Sequence, residues 1–262
     1  MPACAGADFF SGRPSVPLRR HGTAHAVQMD PVTEGYAHSM MILYSGPSCP
    51  FSHMSRIVLN EKGCEFEIKS IDYEGVGPSE ADLAVVKMSP YGELPVLTER
   101  DLFLYDVYVV NEYIDERFPH PQLMPSDPVG RARTRLFLHV LARELFPHVR
   151  TLENSAAPAE KKAHARKRLS ESLGVLAYRV GDTKFLLSDE FGMVDVVLAP
   201  ILWRVPFWGI ELPSTAAKLE IYAQRLFARQ SFIDSMTPAE RSMRQERLGR
   251  ECELPPDVSP FS

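Results

Sequence analysis

No run of about eighteen consecutive apolar residues occurs in this chain, so no helix long enough to cross a bilayer is encoded. Cysteine is scarce. Cys4, Cys49, Cys64 and Cys252 are too few and too scattered across 262 residues for a disulfide framework, which points to a reduced, cytoplasmic protein. A basic excess is also missing, since 29 Lys and Arg against 34 Asp and Glu leave a net charge of −5. That excludes a broad cationic face wrapping nucleic acid, though not contact with a protein assembly that itself holds DNA. There is no glycine-rich phosphate loop and no Ser-His-Asp order. His139 and His148 lack metal-ligand spacing to cysteines or acids, so no metal is expected. What remains is 45% apolar and 24% charged, a globular composition sufficient for one large domain or two ordinary ones.

Residues 1–39 differ from the rest. They carry Pro2, Pro14, Pro17 and Pro31, balanced charges and no sustained period, and are expected to form a disordered extension. From residue 40 the pattern changes. Met41 to Ser45 is a short buried-strand signal closed by Gly46-Pro47. Pro50 suits a first helical turn, and Gly63 a stop. Glu65 to Ile71 alternates, Leu94 to Leu97 and Leu102 to Tyr105 flank a turn at Glu99-Arg100-Asp101, and Val107 to Phe118 carries a helical stripe. The order β-α-β-(α)-β-β-α gives an α/β domain over 40–118. Four prolines between Pro119 and Pro128 mark a linker over 119–128. Beyond it every pattern is helical, and Val194 to Trp203 is apolar almost all round, as a central helix must be. An all-helical domain is therefore expected over 129–240, with a flexible tail over 241–262.

This arrangement resembles the glutathione transferase superfamily, whose fold joins a thioredoxin-like domain to a helical bundle. Leu94-Pro95-Val96-Leu97 matches its strand with a cis proline, and Asp189 and Asp195 match the capping region of its central helix, with Gly192 at the cap. Within the superfamily, the stringent starvation protein A family is the closer resemblance. It rests on Leu43 to Pro47, Arg56 to Leu59, Glu61 to Gly63, the string Asn111 to Pro121 containing Glu-Arg-Phe-Pro-His-Pro, Leu123-Met-Pro125, Leu187 to Phe191, Leu198-Ala-Pro200, Leu202-Trp-Arg204 and Gly209-Ile-Glu211. The resemblance implies a homodimeric transcription regulator of the stress response that binds RNA polymerase carrying its housekeeping sigma factor. Pro119, His120 and Pro121 are the implied contact, and no cofactor is required.

Two readings of Cys49-Pro50-Phe51-Ser52 stay open. A thiol at a helix N-terminus faces free amides and the positive end of the helix dipole, which lower its pKa, so Cys49 is the candidate nucleophile of a glutathione-dependent transferase or thiol transferase. Ser52 precludes an internal disulfide there and leaves only a monothiol route through a mixed disulfide. The alternative is an inherited cysteine on a binding fold. Leu94, Pro95, Asp106 and Val107 would frame glutathione, but Val107 offers no hydroxyl where the superfamily usually has Ser or Thr. His53 reads either as support for a thiolate or as a surface residue. The basic run Lys161, Lys162, Arg166, Lys167 and Arg168 reads as a solvated helix face, and Trp203 and Trp208 read as core.

Overall fold

The computed structural model describes residues 40–72, 78–181 and 183–251, with side chains as far as Arg244. The extension over 1–39 and the last part of the tail, 252–262, lie outside the described residues.

A four-stranded sheet forms the first half. Strand β1 (Met41–Ser45) pairs in parallel with β2 (Phe66–Ser70) and antiparallel with β3 (Val96–Glu99), which pairs antiparallel with β4 (Leu102–Tyr105), giving the order β2-β1-β3-β4. The parallel pair needs a crossover, and α1 (Pro50–Lys62) supplies it. Helix α1 starts where Cys49 and Pro50 place it and stops at Gly63, whose φ of 58° only glycine adopts cheaply. Helices α2 (Glu80–Met88) and α3 (Val107–Arg117) complete this half. Alternation along the strands divides the core. Leu43 and Leu97 pack with α1 and α3, while Tyr44 and Val96 turn to the other face with Ile71 and Val86 of α2.

The linker runs from Phe118 to Asp127, and its last expected residue, Pro128, already opens α4 (Pro128–Glu144). Helices α5 (Phe146–Glu153), α6 (Ala159–Ala177), α7 (Met193–Arg204), α8 (Ala217–Phe227) and α9 (Gln230–Ser235) follow. Helix α7 is central, as its composition demands: all but Trp203 of its residues are buried, and both halves of the protein contribute to one continuous apolar core around it. Its N-terminus is held by Asp195, whose carboxylate accepts from Gly192 N (2.9 Å), Leu186 N (3.1 Å) and Tyr222 Oη (2.5 Å).

The tail expected from 241 needs correction, because residues 238–251 form helix α10 (Pro238–Glu251). Thr237-Pro-Ala-Glu240 is a capping box with proline at the first helical position. Glu240 N donates to Thr237 Oγ1 (3.2 Å) and Thr237 N to Glu240 Oε2 (3.0 Å). Met243 is buried, which anchors the helix against the core.

Candidate functional site

Helix α1 carries a candidate site at each end. Its thirteen residues rise about 1.5 Å each, so the two lie roughly 20 Å apart.

At the N-terminal end Cys49 is the cap residue of α1, and Ser52 N donates to its Sγ (3.5 Å). Sγ lies 4.0 Å from the Leu94 carbonyl oxygen, and the Leu94–Pro95 bond is cis, as expected. The register that sets Val96 opposite Tyr105 puts Pro95, just before β3, and Asp106 and Val107, just after β4, at the same end of that strand pair, while Cys49 lies against Leu94. The neighbouring turn is tight. A Cβ on Gly46 would meet the Cys49 Cβ at 2.8 Å.

The electrostatics differ from the expectation. The amides of Ser52 and Phe51 do favour the thiolate, but burial outweighs them, and the nearby Glu153 adds to the upward shift of the Cys49 pKa. Asp106 is occupied as well. It stands at φ 72° and its Oδ1 caps α3, accepting from Tyr108 N (2.9 Å) and Val109 N (3.3 Å). The Val107 side chain is buried and contributes only packing.

Beneath the Cys49 turn is a cluster that sequence reasoning missed. Arg56, Arg204, His53 and Glu240 are all at most 1% exposed. Glu240 accepts both Nη2 contacts of Arg56 (2.7 and 2.7 Å) and one from Arg204 Nη2 (2.5 Å). The two guanidinium groups also fix the turn, Arg204 donating to Ser48 O (2.8 Å) and Arg56 to Gly46 O (3.2 Å), while Thr237 Oγ1 donates to Pro47 O (2.6 Å). Three consecutive carbonyls before Cys49 are thus held by side chains from α1, α7 and the start of α10.

His53 is neither on the surface nor a partner of the thiol. Its Nε2 lies 3.0 Å from Ser235 Oγ, whose hydroxyl donates to Phe232 O, and its Nδ1 lies 3.3 Å from Arg204 Nη1. Nδ1 also lies 3.3 Å from Glu240 Oε1, so the ring sits between a guanidinium and a carboxylate. Burial first, then the charges of Arg204 and Arg56, hold its pKa well below the ordinary histidine value. The signal for the cluster was present: Arg56 interrupts the apolar run Met54 to Leu59, and Arg204 closes a helix that is apolar all round.

At the other end of α1, Pro119, His120, Pro121 and Gln122 are exposed, and the His120–Pro121 bond is cis. Both flanks of this loop are fixed. Lys62 Nζ donates to Asp115 Oδ1 (2.6 Å) and to Pro121 O, and Asp115 accepts from Leu123 N (2.9 Å) and Met124 N (3.1 Å). Leu123 and Met124 are buried. The loop therefore presents its proline, histidine and proline on a clamped base.

The remaining candidates are absorbed locally. On α6, Arg166 donates to Trp208 O, Lys162 to Ser155 O, and Arg168 pairs with Glu171. Trp208 is buried, donating to Glu153, while Trp203 is half-buried and donates to Glu240 O. Among the described residues no group of three or more His, Cys, Asp or Glu is placed to hold a metal ion.

Comparison with known proteins follows the same division into halves. Residues 43–122 match the family model of the glutathione S-transferase N-terminal domain, and 141–220 that of its C-terminal domain. The stringent starvation protein A homolog of Coxiella burnetii is 39% identical over 208 residues, covering 79% of this chain and 96% of that protein. The homolog from Haemophilus influenzae is 35% identical, covering 77% and 92%. Among solved structures, BphK, a bacterial glutathione transferase in a ternary complex, superposes with a TM-score of 0.68 at 25% identity, covering 76% of this chain and 99% of BphK.

Proposed function

This chain belongs to the stringent starvation protein A family, on the glutathione S-transferase fold, and we propose that it regulates transcription by binding RNA polymerase holoenzyme. The contact is the loop Pro119-His120-Pro121. The observation that carries this is the loop's combination of exposed residues with a fixed base. A surface already ordered before contact loses little conformational entropy on binding, so exposed prolines and an imidazole suffice as anchors without a large interface. No bond-making step is required of it.

The protein acts as a homodimer. Val109 on α3 and Leu136 and Val140 on α4 are exposed apolar residues on two helices tied together by Arg131 to Glu116 (2.6 Å) and Arg135 to Glu112, and a second copy is the occupant that the family resemblance implies. A full chain sedimenting as a monomer would remove this element. The test of the main proposal is retention of RNA polymerase holoenzyme on the immobilised full chain, with His120→Ala as the paired variant. Retention that falls in the variant supports the proposal; equal retention discards the loop, and no retention by either chain discards the partner.

A second reading keeps one observation of its own. Cys49 lies beside the cis Leu94–Pro95 bond, its Sγ 4.0 Å from the Leu94 carbonyl, which supports the glutathione cleft that the family resemblance implies. Glutathione-dependent thiol transfer that disappears in Cys49→Ala would establish it.

A further inference from the structure

The helical half contains a cleft of about 580 Å³ that shares no residue with either end of α1. Its apolar lining comes from Val205, Ile210, Leu219 and Ala223. Arg244, on α10 one helical turn beyond Glu240, lines it too. Its guanidinium carbon lies 4.2 Å from the Trp203 ring centroid and 4.6 Å from that of Phe227. The group is half-buried, its Nε is buried with no hydrogen-bond acceptor, and it makes no ion pair with any described residue. Arg56 and Arg204, by contrast, both rest on Glu240.

An arginine has five N–H donors and cannot discharge itself by losing a proton, so a half-buried one whose Nε has no acceptor among the described residues is open to an anion. The two aromatic rings hold the head group in place, which reduces what a ligand must order. The cleft has the size of small-molecule sites. Glu211 and Glu220 line it as well and repel a second negative charge. We propose that this cleft binds a small amphipathic monocarboxylate, its carboxylate on Arg244 and its chain along Val205, Ile210, Leu219 and Ala223.

The test titrates the full chain with decanoate and with decanol, both well below the concentrations at which they aggregate, following tryptophan fluorescence because Trp203 stacks on Arg244. A saturable change is expected with decanoate. Decanol, which has the same chain without the charge, should bind at least about tenfold more weakly, the worth of a charge-assisted hydrogen bond. Arg244→Gln should bring decanoate down to the affinity of decanol and leave decanol unchanged, while Arg244→Lys should keep part of the preference. Equal affinity for the two probes, undiminished decanoate binding in Arg244→Gln, or no saturable change with decanoate would each overturn the proposal. If Arg244→Gln fails to fold, the contrast between the two probes on the native chain decides alone.

Discussion

Replacing Glu240 by Gln tests what holds the two halves together. The carboxylate lies fully buried against two guanidinium groups, accepting three of their N–H bonds at 2.5 to 2.7 Å. Glutamine keeps the shape and one acceptor, but removes the one negative charge that, among the described residues, is in direct contact with both Arg56 and Arg204, and turns an NH2 towards a cation. Removing one partner of a buried ion pair costs roughly 3–5 kcal/mol, because the surviving charge is left uncompensated. For a chain of this size each kcal/mol moves the melting temperature by about 2–4 °C, so a drop of roughly 6–20 °C is expected. Thermal and urea melts followed by circular dichroism check it. A melting temperature within about 2 °C of the native chain would refute the reasoning, since the loss would then be about 1 kcal/mol or less, the scale of a surface pair.

The same cluster sets a second comparison. Replacing a buried ionic triad by apolar residues is often neutral or stabilising. It should not be so for Arg56→Met with Arg204→Met and Glu240→Leu together. These arginines also serve the carbonyls of Gly46, Ser48, Pro200 and Ser235, and each buried acceptor left orphaned costs about 1–3 kcal/mol.

The remaining predictions concern pH, the thiol and the loop. His53 is neutral in the folded state with its pKa held below 6.5, so the unfolded chain binds the extra proton. Stability from this source is complete above about pH 6.5 and is lost as pH falls through and below that value; in urea melts at pH 7 and pH 5, His53→Gln should show a shallower acid-side loss than the native chain, and an unchanged slope would count against it. Because burial raises its pKa, Cys49 should alkylate with iodoacetamide more slowly than free cysteine at neutral pH, with the rate climbing only at alkaline pH; a fast, pH-independent reaction near neutrality would contradict this. Asp115→Ala strips the Lys62 ammonium and two backbone amides of their acceptor, so it should cost about 3 kcal/mol or more and reduce polymerase retention although Pro119, His120 and Pro121 are intact. Retention equal to the native chain in the folded variant would separate the clamp from the contact.

The first half of the fold was legible because its signals are local. Pro50 and Gly63 bracket α1, β4 spans Leu102 to Tyr105 as patterned, and the proline-rich stretch separates the halves. The end of the chain was misread for an equally local reason. Arg241 onward is dense in charge, which suggests solvent, while the start signal of α10 lies just upstream in Thr237-Pro-Ala-Glu240. The cluster beneath Cys49 was of another kind. Arg56 and Glu240 are separated by 184 positions, and no periodicity links them. What could be inferred locally was only that Arg56 and Arg204, each set among apolar residues, needed a buried acceptor. The thiol shows the same limit: a helix N-terminus can be read from Cys49-Pro50, but the burial that outweighs its dipole is a tertiary fact.

The two ends of α1 are built on opposite physical terms. At the N-terminal end, side chains from α1, α7 and the cap of α10 fix the carbonyls of Gly46, Pro47 and Ser48, burial raises the pKa of the half-buried Cys49 thiol, and the Asp106 carboxylate is committed to capping α3. Chemistry there would have to proceed with a disfavoured thiolate and a carboxylate already in use. At the C-terminal end the buried Lys62–Asp115 pair does the reverse. It spends its hydrogen bonds on backbone that flanks an exposed loop, leaving Pro119, His120 and Pro121 facing solvent on a rigid support. The helix is common to both ends and is held internally by Arg56 and Lys62, so tightening the packing around the thiol costs the loop nothing. A fold built this way can immobilise one end of a helix while leaving the other exposed, so changes at the first need not disturb the second.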